Sequence, residues 1–257
     1  MSMFKKMLAS VGIGAAKVDL LINDSSIAAG DYVSGVVRIE GGRVNQEVDD
    51  VYAFIKTRYI REHNDTKVHH DAVIAKYLLA GKFTVEAGRV YEFPVSFQIP
   101  VNTPATINRT PVWIQTGLDI KDAADPGDQD YLQVSPHPHS EIVLEAVEQL
   151  GFTLREVTCE YAPRLGQGLP FVQEFEFVPR GQFRGELDEL EIIFHPSEHG
   201  LELLIQIDRK VRGLSSFFSE MMETDESLVH YTLEKADLQQ GASAIARDLS
   251  NLIRRYV

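Results

Sequence analysis

The chain has 257 residues, of which 44% are hydrophobic and 25% are charged, and 38 acidic residues outnumber 25 basic ones. This length allows one large domain or two smaller ones with buried cores, and this composition excludes global disorder. The formal net charge of −13 repels phosphate backbones and anionic lipid. We therefore do not expect nucleic acid as a partner, and a protein with a basic surface is a better candidate.

The first half of the sequence is predicted to form short β-strands separated by turns. Alternation of apolar and polar side chains is typical of a strand with one buried face. This pattern occurs in 18–22, 33–39, 91–99 and 112–120. A long strand is also predicted over 48–61, with 68–79 as its partner, because the Asn64-Asp65 dipeptide indicates a hairpin turn between them. About seven strands at this spacing favour a β-sandwich.

The segment from Tyr91 to Pro100 has the most regular alternation in the chain. Its polar face carries Pro94, which has no amide donor and therefore favours an edge strand or a bulge. We expect a free sheet edge here, with Tyr91, Phe93 and Pro94 as a candidate interaction edge.

A domain boundary is predicted between residues 135 and 136, so that residues 1–135 and 136–257 form two domains. The boundary follows from an acidic, turn-rich stretch over 122–130 and from the sequence Ser-Pro-His-Pro-His at 135–139. Four aspartates in the acidic stretch lack the spacing of an EF-hand, so we expect a solvated turn rather than a calcium site. They are Asp122, Asp125, Asp128 and Asp130.

The second half is predicted to begin with a helix that has Ser140 as its N-cap and Gly151 as its C-cap. Strands are then expected at 152–160, 171–178, 187–195, 201–207 and 229–234. Residues 237–256 carry apolar side chains at helical spacing, which predicts an amphipathic C-terminal helix. The whole chain is therefore predicted to be an all-β protein with a few short helices.

One motif suggests a metal-dependent enzyme. His195-Pro196-Ser197-Glu198-His199 matches H-x-x-E-H, which binds zinc only when both histidines lie on one face of a helix. Pro196 and Gly200 favour a hairpin loop instead, so a hydrolase at His195 and His199 is the least favoured alternative. Cys159, the only cysteine, cannot form an intrachain disulfide and is expected to be structural. We expect no catalytic residue, no metal and no cofactor.

The N-terminal segment, residues 1–17 with the apolar stretch 4–11, is predicted to form a short helix on a cytoplasmic protein. No stretch reaches the ~20 apolar residues that a membrane-spanning helix needs. An alternative is a membrane-peripheral scaffold in which this segment, with Lys5 and Lys6, touches a lipid surface. We expect no stable membrane insertion.

Several segments resemble a known family. The sequence from Gly30 to Ile39 resembles the second-strand signature of arrestin-like domains, and that from Glu92 to Pro100 resembles their aromatic strand ending in proline. Further blocks are similar to the bacterial sporulation-control family of the arrestin clan: 3–17, 112–130, 160–163 and 169–177. The resemblance implies two arrestin-like β-sandwich domains in tandem, no catalytic activity, and a regulatory role through protein contacts.

Three charged residues are candidates for polar contacts between the domains. Asp24, directly after the first strand, is similar in place to an acidic residue of the arrestin polar core. Asp208 and Arg209 follow a strand of the second half, where opposite charges could hold two sheet ends together. We expect a cytoplasmic adaptor or regulator that binds proteins through sheet edges and loops, with a homodimer as one such assembly.

Overall fold

Strands dominate the structure, as the alternating sequence pattern predicts. The computed structural model describes residues 15–64, 66–120, 127–208 and 228–257. The chain divides into two units, one formed by Met1–Thr57, Val73–Thr103 and Pro111–Val134, the other by Arg58–Ala72, Pro104–Thr110 and Ser135–Val257. The predicted all-β fold is confirmed.

The first unit is a β-sandwich. One sheet has the strand order β1-β3-β7; in the other, β4 pairs with β5, β6 and β8, and β9 lies between β8 and β2. The side chains of Val37, Ile39, Ile55, Ile114 and Leu118 come from both sheets and are completely buried between them. The strands are β1 (Lys17–Ile22), β2 (Ser26–Ala28), β3 (Tyr32–Glu40), β4 (Gln46–His63), β5 (Thr66–Ala80), β6 (Phe83–Val85), β7 (Val90–Gln98), β8 (Val112–Ile120) and β9 (Gly127–Ser135).

The second unit contains an antiparallel sheet with the order β14-β13-β12-β11-β10. Its apolar face, with Phe175, Ile192 and Leu203, packs in one core with Val147 and Leu249 of two helices. The strands are β10 (Phe152–Tyr161), β11 (Phe171–Pro179), β12 (Glu189–Pro196), β13 (Gly200–Asp208) and β14 (Val229–Glu234), and the helices are α1 (Pro138–Gln149), α2 (Lys235–Leu238) and α3 (Ala242–Ile253).

The predicted acidic turn at 122–130 is wrong from residue 127 onward, where β9 begins. Asp128 lies opposite Thr116 and Asp130 opposite Ile114, so the backbone of this segment is fixed by β8. The Asp128 carboxylate also accepts a hydrogen bond from the Leu20 N–H at 3.1 Å. Tertiary pairing thus overrides the turn preference of aspartate and glycine.

The first helix starts before the predicted N-cap at Ser140. Its N-cap is His137, whose ring Nδ1 accepts a hydrogen bond from the His139 N–H at 3.2 Å. Pro138 fits the first helical position because its missing N–H would be unpaired there in any case. Gly151, with φ of 82°, follows the end of the helix and stops it, as predicted.

The predicted C-terminal helix is interrupted. Gly241 has φ of 81° and separates α2 from α3, so the helical pattern starts again at Ala242. In α3 the side chains of Ile245, Leu249 and Ile253 are buried, which confirms the amphipathic prediction for this part. The predicted N-terminal helix at 4–11 lies outside the described residues. Within the described ranges, no helix is long and apolar enough to cross a membrane.

Candidate functional site

The predicted interaction edge lies at the rim of the three-stranded sheet, where β7 pairs with β3. The Gly41 N–H donates to the Arg89 carbonyl at 2.7 Å, and the Ile99 N–H donates to the Asp31 carbonyl at 2.9 Å. Odd-numbered residues of β7 therefore direct their backbone groups toward β3, and even-numbered residues direct theirs outward. Pro94 is one of the outward residues, so the middle of this edge has no donor for an added strand.

The aromatic residues of this edge are half-buried and pack against the core of the first unit. The rings of Tyr91 and Phe93 each lie 5.5 Å from the ring of Phe83 in edge-to-face contact. At the end of the strand, the Tyr77 hydroxyl donates to the Gln98 carbonyl, which points outward. The exposed edge of β7 therefore has free backbone groups for a partner strand only in part, because Pro94 lacks an N–H and Tyr77 occupies the Gln98 carbonyl.

The opposite edge, β1, is covered by side chains of the second sheet. The Ala16 N–H donates to Oε1 of Gln46 at 2.7 Å, and the Leu20 N–H donates to Oδ2 of Asp128 at 3.1 Å. Both amides point away from β3, where an incoming strand would otherwise bind. Strand addition is therefore disfavoured at both edges of this sheet, at β7 by the missing donor of Pro94 and at β1 by the side chains of Gln46 and Asp128.

The carboxylate that caps β1 belongs to a group of three aspartates. Burial, together with Asp128 and Asp19, raises the pKa of Asp130 to about 7. Burial first, and then the neighbouring Asp128, raise the pKa of Asp19 as well. Asp19 lies on β1 and Asp128 and Asp130 lie on β9, so carboxylates face one another between these two strands, and Arg38 is a cation that acts on Asp19 in the opposite direction.

The three predicted interdomain residues do not form a described cluster. Asp24 is exposed, and its Oδ1 accepts a hydrogen bond from the Ser26 N–H at 2.8 Å, which makes a local turn. The backbone of Asp208 ends β13 opposite Glu189, but its side chain and Arg209 lie outside what the structure describes. Their role between domains stays a prediction.

The H-x-x-E-H segment forms the hairpin between β12 and β13, as predicted. His195 lies on β12 opposite Glu202, and the Ser197 N–H donates to the Gly200 carbonyl at 2.9 Å across the turn. His199 lies in the turn, so the two histidines do not share a helix face. Burial lowers the pKa of His195, although Glu202 acts in the opposite direction. Across the described ranges, no group of three or more His, Cys, Asp or Glu side chains could hold a metal ion.

A feature that sequence reasoning missed is a face of buried carboxylates in the second unit. Glu156, Glu176, Glu191 and Gln206 lie directly opposite one another on β10, β11, β12 and β13. The buried members of this face, with their exposed fractions, are Glu160 7%, Glu174 8%, Glu189 6%, Glu191 6% and Gln206 5%. The sequence signal is the alternation of glutamate with apolar residues in β11 and at the start of β12, which does not reveal how the strands pair.

Charges on this face are only partly compensated. Arg155 contacts both Glu176 and Glu189, with its Nη2 2.7 Å from Oε2 of Glu189. Burial, followed by repulsion from Glu191 and Glu160, raises the pKa of Glu174 well above its ordinary value. Burial also raises the pKa of Glu160 to about 7, although Lys67 acts in the opposite direction. This face therefore holds protons at a pH where exposed glutamates have lost them.

Comparison with known proteins gives a concordant set of matches. Residues 4–211 match the family model described as SpoOM protein. The sporulation-control protein spo0M of Bacillus subtilis (strain 168) is 42% identical over 240 residues, which cover 93% of this chain and 93% of that protein. The crystal structure of Spo0M, sporulation control protein, from Bacillus subtilis has a TM-score of 0.88 and 38% identity, covering 95% of this chain and 100% of that chain. The chain belongs to the Spo0M family of sporulation-control proteins.

Proposed function

We propose that this protein is a non-enzymatic, cytoplasmic regulator of sporulation that acts through contacts with other proteins. The observation that carries the proposal is the 42% identity to a sporulation-control protein over 93% of both chains. The polar groups described above support it, because they have structural partners: Asp128 caps a strand edge, His137 caps a helix, and Arg155 pairs with glutamates.

The partner proposed is a protein with a basic surface. The formal net charge of −13 attracts such a surface over a Debye length of about 8 Å at physiological ionic strength. Contact through faces and loops is favoured over strand addition, since Pro94 interrupts the edge of β7 and Asp128 occupies that of β1. A homodimer, if it forms, needs a surface other than these two edges.

The regulatory role is tested by complementation. The full chain is expressed in Bacillus subtilis lacking its own spo0M, and heat-resistant spores are counted against a strain carrying the native protein. We expect spore counts to move toward those of the native strain. Failure to do so at matched protein levels would count against the proposal.

The mode of action is tested by chemical crosslinking in the native host, followed by affinity purification and mass spectrometry. We expect a stoichiometric protein partner whose yield falls as salt is raised. Sedimentation of the purified chain then separates a homodimer from a different partner. Recovery of the chain alone, as a monomer, contradicts action through protein contacts.

A further inference from the structure

The tip of the β4–β5 hairpin, residues 58–72, belongs to the second unit and is held there by a small contact with β10. Its backbone pairs in parallel with β10 at a single position, Ile60 opposite Glu160. On one side of this contact, the ring of Tyr59 stacks on those of Tyr161, at 6.1 Å, and Phe171, at 5.7 Å. These rings attach the tip to the sheet.

On the other side, the contact is a group of carboxylates. Glu160 is only 7% exposed, and Oε2 of Glu62 on the hairpin is buried without a hydrogen-bond partner. Glu156 adds negative charge from β10, and Lys67 on β5 is the cation that acts on Glu160. Aromatic attraction and carboxylate repulsion therefore oppose each other at the same small contact.

We propose that Glu160 is a proton-operated latch, which keeps the hairpin tip packed on β10 when protonated and releases the tip when ionised. Release would expose the rings of Tyr59, Tyr161 and Phe171. Protons would thereby control access to an aromatic surface of the second unit.

The direction of the pH effect follows from linkage. Burial is the main reason that the pKa of Glu160 rises from 4.5 to about 7 in the packed state, and hydration in the released state restores the ordinary value. The packed state thus binds the proton more tightly, so release becomes easier as the pH rises from 4.5 to 7 and levels off above. One proton changes the release equilibrium at most about tenfold per pH unit, which gives up to about a hundredfold between pH 5 and pH 8.

Other ionisable groups surround the latch, and each makes a distinct contribution. Glu62 on β4 and Glu156 on β10 repel ionised Glu160, whereas Lys67 on β5 attracts it. Glu174 on β11 faces Glu160 from the sheet and lies in turn beside Glu191 and Glu189 of β12. His70 stacks on Tyr59 at 5.6 Å on the aromatic side, so it needs its own control.

Hydrogen exchange of the full chain, read by mass spectrometry between pH 5 and pH 8, tests the latch. A released tip is an isolated two-stranded ribbon, which is marginally stable in water, so its amides exchange when it leaves β10. After correction for the intrinsic pH dependence of exchange, we expect protection of residues 58–64 and 66–72 to fall as pH rises. Peptides of α3, which carries none of the carboxylates of this face, serve as the internal reference and report any change in global stability over the same pH range.

Substitutions make the test specific. Glu160→Gln cannot ionise, so the tip should remain protected at pH 8. Glu156→Gln removes a weaker repulsion, from an exposed position on the same strand, and should keep most of the pH-dependent loss of protection. Glu62→Gln should reduce the loss of protection at pH 8, and Lys67→Met should increase it.

Three outcomes would overturn the latch. Protection of the tip in the native chain could be independent of pH after correction. Glu160→Gln could lose protection with pH as the native chain does, while His70→Gln abolishes the effect, which would assign it to histidine. Glu62→Gln and Lys67→Met could shift protection in the same direction, which would indicate damage to packing rather than charge.

Discussion

The sheet of the second unit buries two faces of opposite chemistry with the same strands. One face places Phe175 and Ile192 against helices, and the other hides Glu174 and Glu191 with less than a tenth of each side chain exposed. Burial of the first face stabilises the fold by about 25 cal/mol per Å² of apolar surface, whereas burial of the second costs the hydration of each carboxylate. Burial of the apolar face therefore stabilises the fold, whereas burial of the carboxylate face destabilises it, and substitutions on each face can test this difference.

The largest effect is expected on the apolar face from Phe175→Ala. Phe175 is 3% exposed, and its ring lies 4.9 Å from that of Phe194 in edge-to-face contact. Loss of the ring leaves a cavity and should lower the free energy of unfolding by about 3–5 kcal/mol, measured by urea denaturation. Val178→Ala, at a half-buried position of the same strand, is the control and should cost much less.

A smaller loss is expected on the carboxylate face from Arg155→Met. Glu176 and Glu189 would keep their burial but lose this guanidinium, which costs about 1–3 kcal/mol at pH 8. At pH 4 the loss should shrink, because protonated carboxyls no longer need a cation. An equal loss at both pH values would assign the effect to packing of the arginine stem, and Arg180→Met on the exposed end of the neighbouring segment is the control.

Glu174→Gln should change stability with the opposite sign. Burial raises the pKa of Glu174, so the folded chain keeps a proton that the unfolded chain loses as the pH rises above 4.5. The native fold is therefore penalised increasingly above that pH, and glutamine removes the penalty. We expect a more stable variant at pH 8 and no difference near pH 4, by thermal unfolding at both pH values. A variant less stable at pH 8 would show that the carboxylate makes a favourable contact.

The smallest effect is expected for the single thiol, which lies in β10 on the side opposite the glutamates. Cys159 is 4% exposed, and burial raises the pKa of its thiol although Thr110 hydrogen-bonds to it. Iodoacetamide at pH 8 should leave the folded chain unmodified and label it once in urea, as read from intact mass. Rapid labelling of the folded chain would show that this part of the sheet opens readily.

Local sequence patterns predicted most of the strands. The predicted strands at 112–120 and 229–234 have the same bounds as β8 and β14. The pattern failed at β9, where Asp128 and Asp130 have a preference for turns that pairing with β8 overrides. The pattern also predicted one continuous C-terminal helix across Gly241, because apolar residues keep their helical spacing on both sides of this glycine.

The candidate sites depended more on tertiary structure than on pattern. Pro94 correctly indicated a sheet edge, since one missing donor is a local property. The carboxylate face could not be predicted from the sequence, because its residues come together only through the pairing register of four separate strands. The approach of Glu62 to Glu160 requires in addition that a hairpin of one half meet a strand of the other.

The register of β10 shifts between Leu154 and Glu156, so Arg155 is an extra residue in this strand. Upstream of it, Phe152 packs in the core that the helices share, and downstream Val157 does so with the opposite parity. Deletion of Arg155 would exchange the two faces of β10 on one side of the bulge, which would place glutamates in the core and apolar side chains among the carboxylates. A change of side chain at 155 alters the contacts with Glu176 and Glu189, whereas a change of chain length there would exchange the residues of both faces. We therefore expect length differences among family members to fall outside 152–161.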